Sequence, residues 1–152
     1  MDEPRFEHLY DMTVQLEPPQ MIGQTPQGNR QIFYVRSGAF EGPRLKGELL
    51  PGGGDWFLLR PDNVGELDVR ATLKTHDGAL IYATYRGIFS ASQEAWAKLY
   101  QGEPVDRDQY YFYTAPIFQT SATDYLWLNR ILAVGVGTAV PGGVAYRVFA
   151  LA

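Results

Sequence analysis

A period-two stretch folded on itself constrains this chain more than anything else in it. Leu67, Val69, Ala71 and Leu73 alternate with Asp68, Arg70, Thr72 and Lys74. Strict alternation over that length describes a strand with one apolar face and one polar face. Asp77-Gly78 follows, and then a second arm with Tyr82, Thr84 and Arg86 on one side and Ile81, Ala83, Tyr85, Gly87 and Phe89 on the other. Asp-Gly between two such runs is a strong hairpin signal, because a type I′ turn places both central residues at positive φ. The stretch therefore predicts an antiparallel hairpin, and the rest of the chain must supply partners for its two edges.

Those partners are legible as short strands separated by Gly and Pro. Strands are expected over Phe6–Leu16, Gln31–Phe40, Leu45–Leu50, Asp55–Arg60, Tyr110–Phe118, Asp124–Val134 and Gly143–Leu151. Pro18-Pro19 ends the first strand, and 23–30 is expected to be a loop, because proline cannot donate to a ladder and Gly, Asn and Gln cluster there. One helix is expected, from Ser92 as N-cap to Gln101, with Gly102 placed to stop it. The resulting fold class is all-β: a single-domain antiparallel β-barrel of about eight or nine strands with one short helix. Closure removes the sheet edges, and a barrel of about eight strands is just wide enough for one small ligand. The length of 152 residues suits one domain.

Composition narrows the function classes. Aromatic residues make up 14% of the chain, with ten Tyr and eight Phe, which favours strands and apolar cavities. With no Cys and only two His, neither thiolate chemistry nor a metal cluster is expected, and no motif for a cofactor is present. The net charge of −4 comes without a basic run, so neither nucleic acid nor a membrane surface is an expected partner. No apolar stretch reaches the roughly 18 residues that span a bilayer, and the expected location is the cytoplasm.

Candidate site residues follow from strand faces. Asp68 and Arg70 lie two apart and share a face with Thr72. Inside a pocket they would clamp a carbonyl, hydroxyl or carboxylate group; on a wet outer face they would be an ion pair worth little. Gly52-Gly53-Gly54 lacks the following helix that a phosphate loop needs and is expected to be a turn, with Asp55 and Trp56 directly after it. The densest aromatic region is 110–114 with 124–130.

The segments GGDW (53–56), DVRATLKTHDGALIY (68–82), YRGI (85–88), YFYTAPIFQT (111–120) and YLWLNRILAVG (125–135) resemble the DUF3237 family, also called UPF0311. The chain departs from the family pattern at Tyr113, where members commonly carry Arg, and at Gln119, where Glu is common. The resemblance implies an all-β barrel and brings no settled activity.

The expected site is a central pocket. Asp68, Arg70 and Tyr113 are the catalytic candidates, and Trp56, Thr84, Tyr111, Trp127 and Asn129 are the ligand-binding ones. No metal and no cofactor are expected. The leading function is a cofactor-independent enzyme of isomerase, cyclase, lyase or hydratase type, acting on a small oxygenated or aromatic compound. The alternatives are a carrier or sensor of an apolar small molecule and an interaction module using an exposed aromatic patch. Placing Asp68 and Arg70 inside requires the apolar face of their strand to pack against the helix or another subunit, which makes a homo-oligomer a corollary.

Overall fold

The computed structural model describes residues 2–152. Ten strands form one continuous antiparallel sheet: β1 (Phe6–Leu16), β2 (Gln20–Thr25), β3 (Gly28–Glu41), β4 (Lys46–Leu49), β5 (Gly54–Leu59), β6 (Val64–Thr75), β7 (Leu80–Ala91), β8 (Tyr110–Gln119), β9 (Ala133–Val140) and β10 (Gly143–Leu151). Helix α1 (Gln93–Tyr100) follows β7. Neighbours run β1-β10-β9-β8-β7-β6, then β4 and β5, then β3, and β3 pairs back onto β1 through Asp11↔Glu41 to Leu16↔Val35. The sheet is thus a closed barrel of eight staves. β4 and β5 share one stave, since each pairs with both β3 and β6. β1 and β2 share another along one edge of β3.

Except in β2, which buries none of its side chains, the apolar face of the strands points inward. β8 alternates without a fault, with Tyr110, Phe112, Thr114, Pro116 and Phe118 buried and Tyr111, Tyr113, Ala115, Ile117 and Gln119 exposed. Leu67, Val69, Ala71 and Leu73 of β6 are buried in the same core. A barrel this narrow fills its interior with side chains, so the face with the larger apolar payload takes the inside.

Three segments differ from expectation. The expected loop over 23–30 is instead the end of β2, which bulges at Ile22, a tight turn and the start of β3 at Gly28. A free edge on the first half of β3 recruits β2, and that long-range pairing overrides the local Gly and Gln content. The stretch expected as a strand from Asp124 is a 3-10 helix over Thr123–Arg130, and the strand begins only at Ala133. Its buried residues, Tyr125 and Leu128, are three apart, the repeat of a 3-10 helix rather than a strand. Tyr125 Oη donates to Asp77 Oδ1 (3.0 Å), tying this segment to the central hairpin.

The hairpin turn also differs in type. Gly78 has φ +88°, but Asp77 is not at positive φ. Gly78 N–H donates to the Thr75 carbonyl (2.9 Å) and Thr75 N–H to the Ala79 carbonyl (2.9 Å). This is a type I turn closed by a left-handed glycine, the three-residue hairpin, rather than a type I′ turn. No neighbouring atom lies within 4 Å of where a Gly78 Cβ would sit, so only backbone strain opposes a side chain there. Gly78→Val is expected to cost on the order of 1–3 kcal/mol in urea unfolding; an unchanged midpoint would show that the turn relaxes freely.

Helix α1 closes one end of the barrel. Ser92 Oγ accepts from Ala95 N–H (3.1 Å) at its N-cap, and Gly102 at φ +74° follows its end. Trp96 enters the core, its ring tilted against Phe89 with centres 4.7 Å apart while its Nε1–H donates to the Asn63 carbonyl (2.9 Å). Tyr100 Oη accepts from Nε2 of the fully buried Gln31 (2.7 Å), pinning the last turn to β3. No helix among the described residues is long and apolar enough to cross a membrane.

Candidate functional site

Beneath α1 the barrel holds a cavity of about 570 Å³. Its walls are Phe33, Phe57, Leu67, Val69, Phe89 and Phe112, and its exposed rim includes Glu17, Pro18, Arg36, Tyr100 and Gly142. Arg36 and Glu17 form an ion pair at this rim (3.1 Å). A groove of about 690 Å³ on the outside, over β1, is larger but open to water. Its Asp11 is already paired with Arg147 (2.9 Å) on the exposed surface, where such a pair contributes little.

One carboxylate faces this interior. Asp55 lies on β5 in phase with Phe57, opposite Val69 of β6 and Phe33 of β3. The glycines before it make that placement possible: a Cβ on Gly53 would lie 2.4 Å from the Arg70 carbonyl oxygen. Asp68 N–H donates to Asp55 Oδ1 (2.9 Å). Although it borders the cavity space, Asp55 is enclosed by protein, and burial pushes its pKa up to about 7. The Asp68 amide and the Arg30 guanidinium oppose that rise and the Asp68 carboxylate adds to it, but desolvation dominates.

Two phenols stand beside it. Tyr85 and Tyr146 also line the cavity, and their rings meet edge to face at 5.5 Å. Burial raises both pKa values above that of an ordinary phenol, and the nearby Asp55 raises them further. Tyr10, buried on β1, is raised for the same reasons, burial first and then Tyr85. The interior thus combines apolar walls, a carboxyl group that titrates near neutrality and neutral hydroxyl donors. Among the described residues, no cluster of three His, Cys, Asp or Glu forms a metal site.

Of the eight catalytic and ligand-binding candidates expected from the sequence, none lines this cavity. Asp68 and Arg70 point outward from β6, the opposite of the interior placement expected, because Leu67 and Val69 occupy the inside. Asp68 meets Arg86 at 3.9 Å on the outer surface, and Arg70 lies over the Trp56 ring at 5.4 Å. Trp56 is therefore outside as well, since its neighbours Asp55 and Phe57 take the inward positions. Thr84 pairs with Arg70 on the outer face of β7, and Tyr111 and Tyr113 occupy the outer face of β8. Trp127 and Asn129 belong to the external 3-10 helix. Arg44 caps the Trp127 ring at 3.6 Å, while Asn129 brackets the Thr120 backbone, accepting from its N–H (3.0 Å) and donating to its carbonyl (2.9 Å). In β6, β7 and β8 the alternation has the expected phase and the opposite face turns inward, whereas Trp127 and Asn129 lie on no strand. Tyr85 was visible as a member of the apolar face of its strand. The signal for Asp55 was its phase with Phe57, two residues on.

The fold and site define a class: a closed antiparallel β-barrel with an apolar cavity and a buried carboxyl group at its wall. The particular family follows from comparison. Residues 4–151 match the family described as "Protein of unknown function (DUF3237)", and the chain belongs to that family. A UPF0311 protein of Clostridium acetobutylicum is 33% identical over 148 residues, covering 97% of this chain and 94% of that protein. Among solved structures, a conserved protein of unknown function from Rhodopseudomonas palustris superposes with a TM-score of 0.92 at 30% identity, covering 100% and 99% of the two chains. A β-barrel-like protein from Acinetobacter baumannii gives 0.88 at 36% identity, covering 100% and 98%. A structure described as an enzyme from Penicillium herquei shares the fold, with a TM-score of 0.76 at 19% identity and coverage of 100% and 97%.

Proposed function

We propose that the barrel is a cofactor-independent enzyme that moves a proton on a small oxygenated or aromatic compound held in the cavity. The observation that carries this reading is Asp55: a carboxyl group with a pKa of about 7, facing an apolar cavity beside two neutral tyrosine hydroxyls. A general acid or base works best when its pKa lies near the operating pH. Asp55 in its ionised form accepts a proton from carbon, and in its acid form returns one. Tyr85 and Tyr146 remain protonated and donate hydrogen bonds to an oxygen that gains charge. Isomerisation, cyclisation, elimination and hydration all share this proton transfer. That the fold houses catalysis elsewhere is supported by the Penicillium structure's description as an enzyme.

The test uses β-tetralone, an apolar ketone with an acidic α-carbon, in deuterated water. The wild-type protein is expected to accelerate deuterium uptake at the α-carbon, with a rate that rises as pH increases through about 7 and Asp55 ionises. Asp55→Asn is expected to bind the ketone but lose about a hundredfold or more of the exchange rate, the usual contribution of a general base. Binding with exchange no faster than in buffer would make the barrel a carrier of apolar molecules instead.

A further inference from the structure

The outer surface of the barrel is not uniform. Of the large hydrophobic side chains left exposed, six stand on the outward faces of just two adjacent strands: Leu80, Tyr82 and Ile88 of β7, and Tyr111, Tyr113 and Ile117 of β8. Cross-strand pairing joins them into a stripe, with Ile88 beside Tyr113, Thr84 beside Ile117 and Ser90 beside Tyr111. Where β1 pairs with β3, from Asp11↔Glu41 to Gln15↔Ser37, the exposed side chains are instead Asp11, Thr13, Gln15, Ser37 and Glu41 with Ala39. Contiguous apolar patches of this extent are uncommon on surfaces that remain in water.

We propose that this face seats a second copy of the same chain in a two-fold dimer. A two-fold interface must be complementary to itself, so one patch must contain both ridge and hollow, and both signs of charge. This patch does. Tyr111 and Tyr113, with their rings 4.6 Å apart, and Ile88 wall a hollow floored by Gly87 and Ala115. Two residues along β8, Ile117 projects from the same face, 49% exposed. Arg86 stands beside Ala115, its side chain 74% exposed, with only a 3.9 Å contact to Asp68, and Glu66 borders the same hollow. The stripe together with the flanking outward faces of β6 and β9, which bring Glu66 and Val134 to the edges of the hollow, makes four strands about 4.8 Å apart and some ten residues long, roughly 600 Å² in projection against the ~800 Å² per partner of a standard interface. Sheets that pack face to face in this way are common. The face includes none of the cavity's rim residues named above, so dimerisation and the cavity's chemistry are separable.

Sedimentation velocity of the full chain at micromolar concentration tests this. A dimer is expected for the wild type. Ile117→Glu and Tyr113→Glu are each expected to weaken it by about tenfold or more, as loss of a central apolar anchor does. Ser37→Glu, on the outward face of β3, should leave the dimer intact. Because Ile117 and Tyr113 point outward, the variants should keep wild-type circular dichroism and undiminished β-tetralone binding. If one variant fails to fold, the other still decides. A monomeric wild type, or a dimer that neither folded variant weakens, overturns the proposal.

Discussion

Asp55→Asn is expected to stabilise the protein at pH 8 and leave its stability nearly unchanged at pH 4. The carboxyl's pKa in the folded chain, about 7, lies above the 3.8 of an ordinary aspartate. Between those values the unfolded chain has released the proton and the folded chain still holds it. The folded state then binds more protons, so stability falls as pH rises through this window and levels off above about 7. The full loss is on the order of 4 kcal/mol, from about three pKa units at 1.36 kcal/mol each. Asparagine removes the ionisation and keeps an oxygen to accept from Asp68 N–H. Asp11, Asp62 and Asp77 behave with the opposite sign: hydrogen bonds from Arg147, Arg60 and Thr75 respectively are the leading causes of their lowered pKa values, and their stabilisation is lost as pH falls. They are common to both proteins, so the wild-type minus variant difference isolates Asp55. Urea titrations at steps from pH 4 to 8 measure it. Parallel profiles would mean that Asp55 ionises like a surface carboxylate, and the proton-transfer reading would fall with it.

Phe112→Ala is expected to cost about 3–5 kcal/mol in urea unfolding, the range for a large aromatic removed from a core. Phe112 is 0% exposed and stacks on Phe89 with ring centres 4.3 Å apart. Its edge meets Tyr146 at 5.5 Å, and its face covers Gly137, where a Cβ would lie 2.6 Å from the ring. The truncation therefore removes buried area and a stacking partner together, and the closed barrel limits how far its walls can collapse into the gap. Phe112 also forms part of the cavity wall. The same variant should enlarge the cavity and loosen the packing that holds the Tyr146 ring. A loss below about 1 kcal/mol would indicate that the interior reorganises freely.

Much of the fold was legible in the sequence because the barrel is built from alternation. β6, β7 and β8 alternate so regularly that their phases could be assigned from the residues alone. Two kinds of information were not local. One was which face turns inward. For β6 that depends on what Leu67 and Val69 meet across the barrel, and a lone strand with Asp68 and Arg70 on its other side does not reveal it. The second was pairing with a distant strand: β2 exists because β3 offers an edge, and residues 123–130 are helical because Tyr125 reaches Asp77 while Asn129 holds Thr120. Asp55 was hidden by the same ambiguity. As the first residue of its expected strand, directly after Gly53 and Gly54, it has no upstream alternation to fix its face, and only the registration of β5 between β3 and β6 carries it inside.

The seam between β1, β3 and β10 governs when this protein can fold. Asp11 sits across from Glu41 on one side and from Arg147 on the other, a separation of 136 residues along the chain. On the ribosome, β1 emerges early and can pair with β3 within a few tens of residues, but its other edge has no partner until the final strand is made. The nascent sheet therefore waits as an open curl with two unsatisfied rims, one on β1 and one on β9. Such non-local closure is intrinsically slow, in the range of milliseconds to seconds for all-β topologies. During that interval the open rims are templates for pairing with other chains. Folding yield should consequently depend on protein concentration far more steeply than the stability of the finished barrel would indicate.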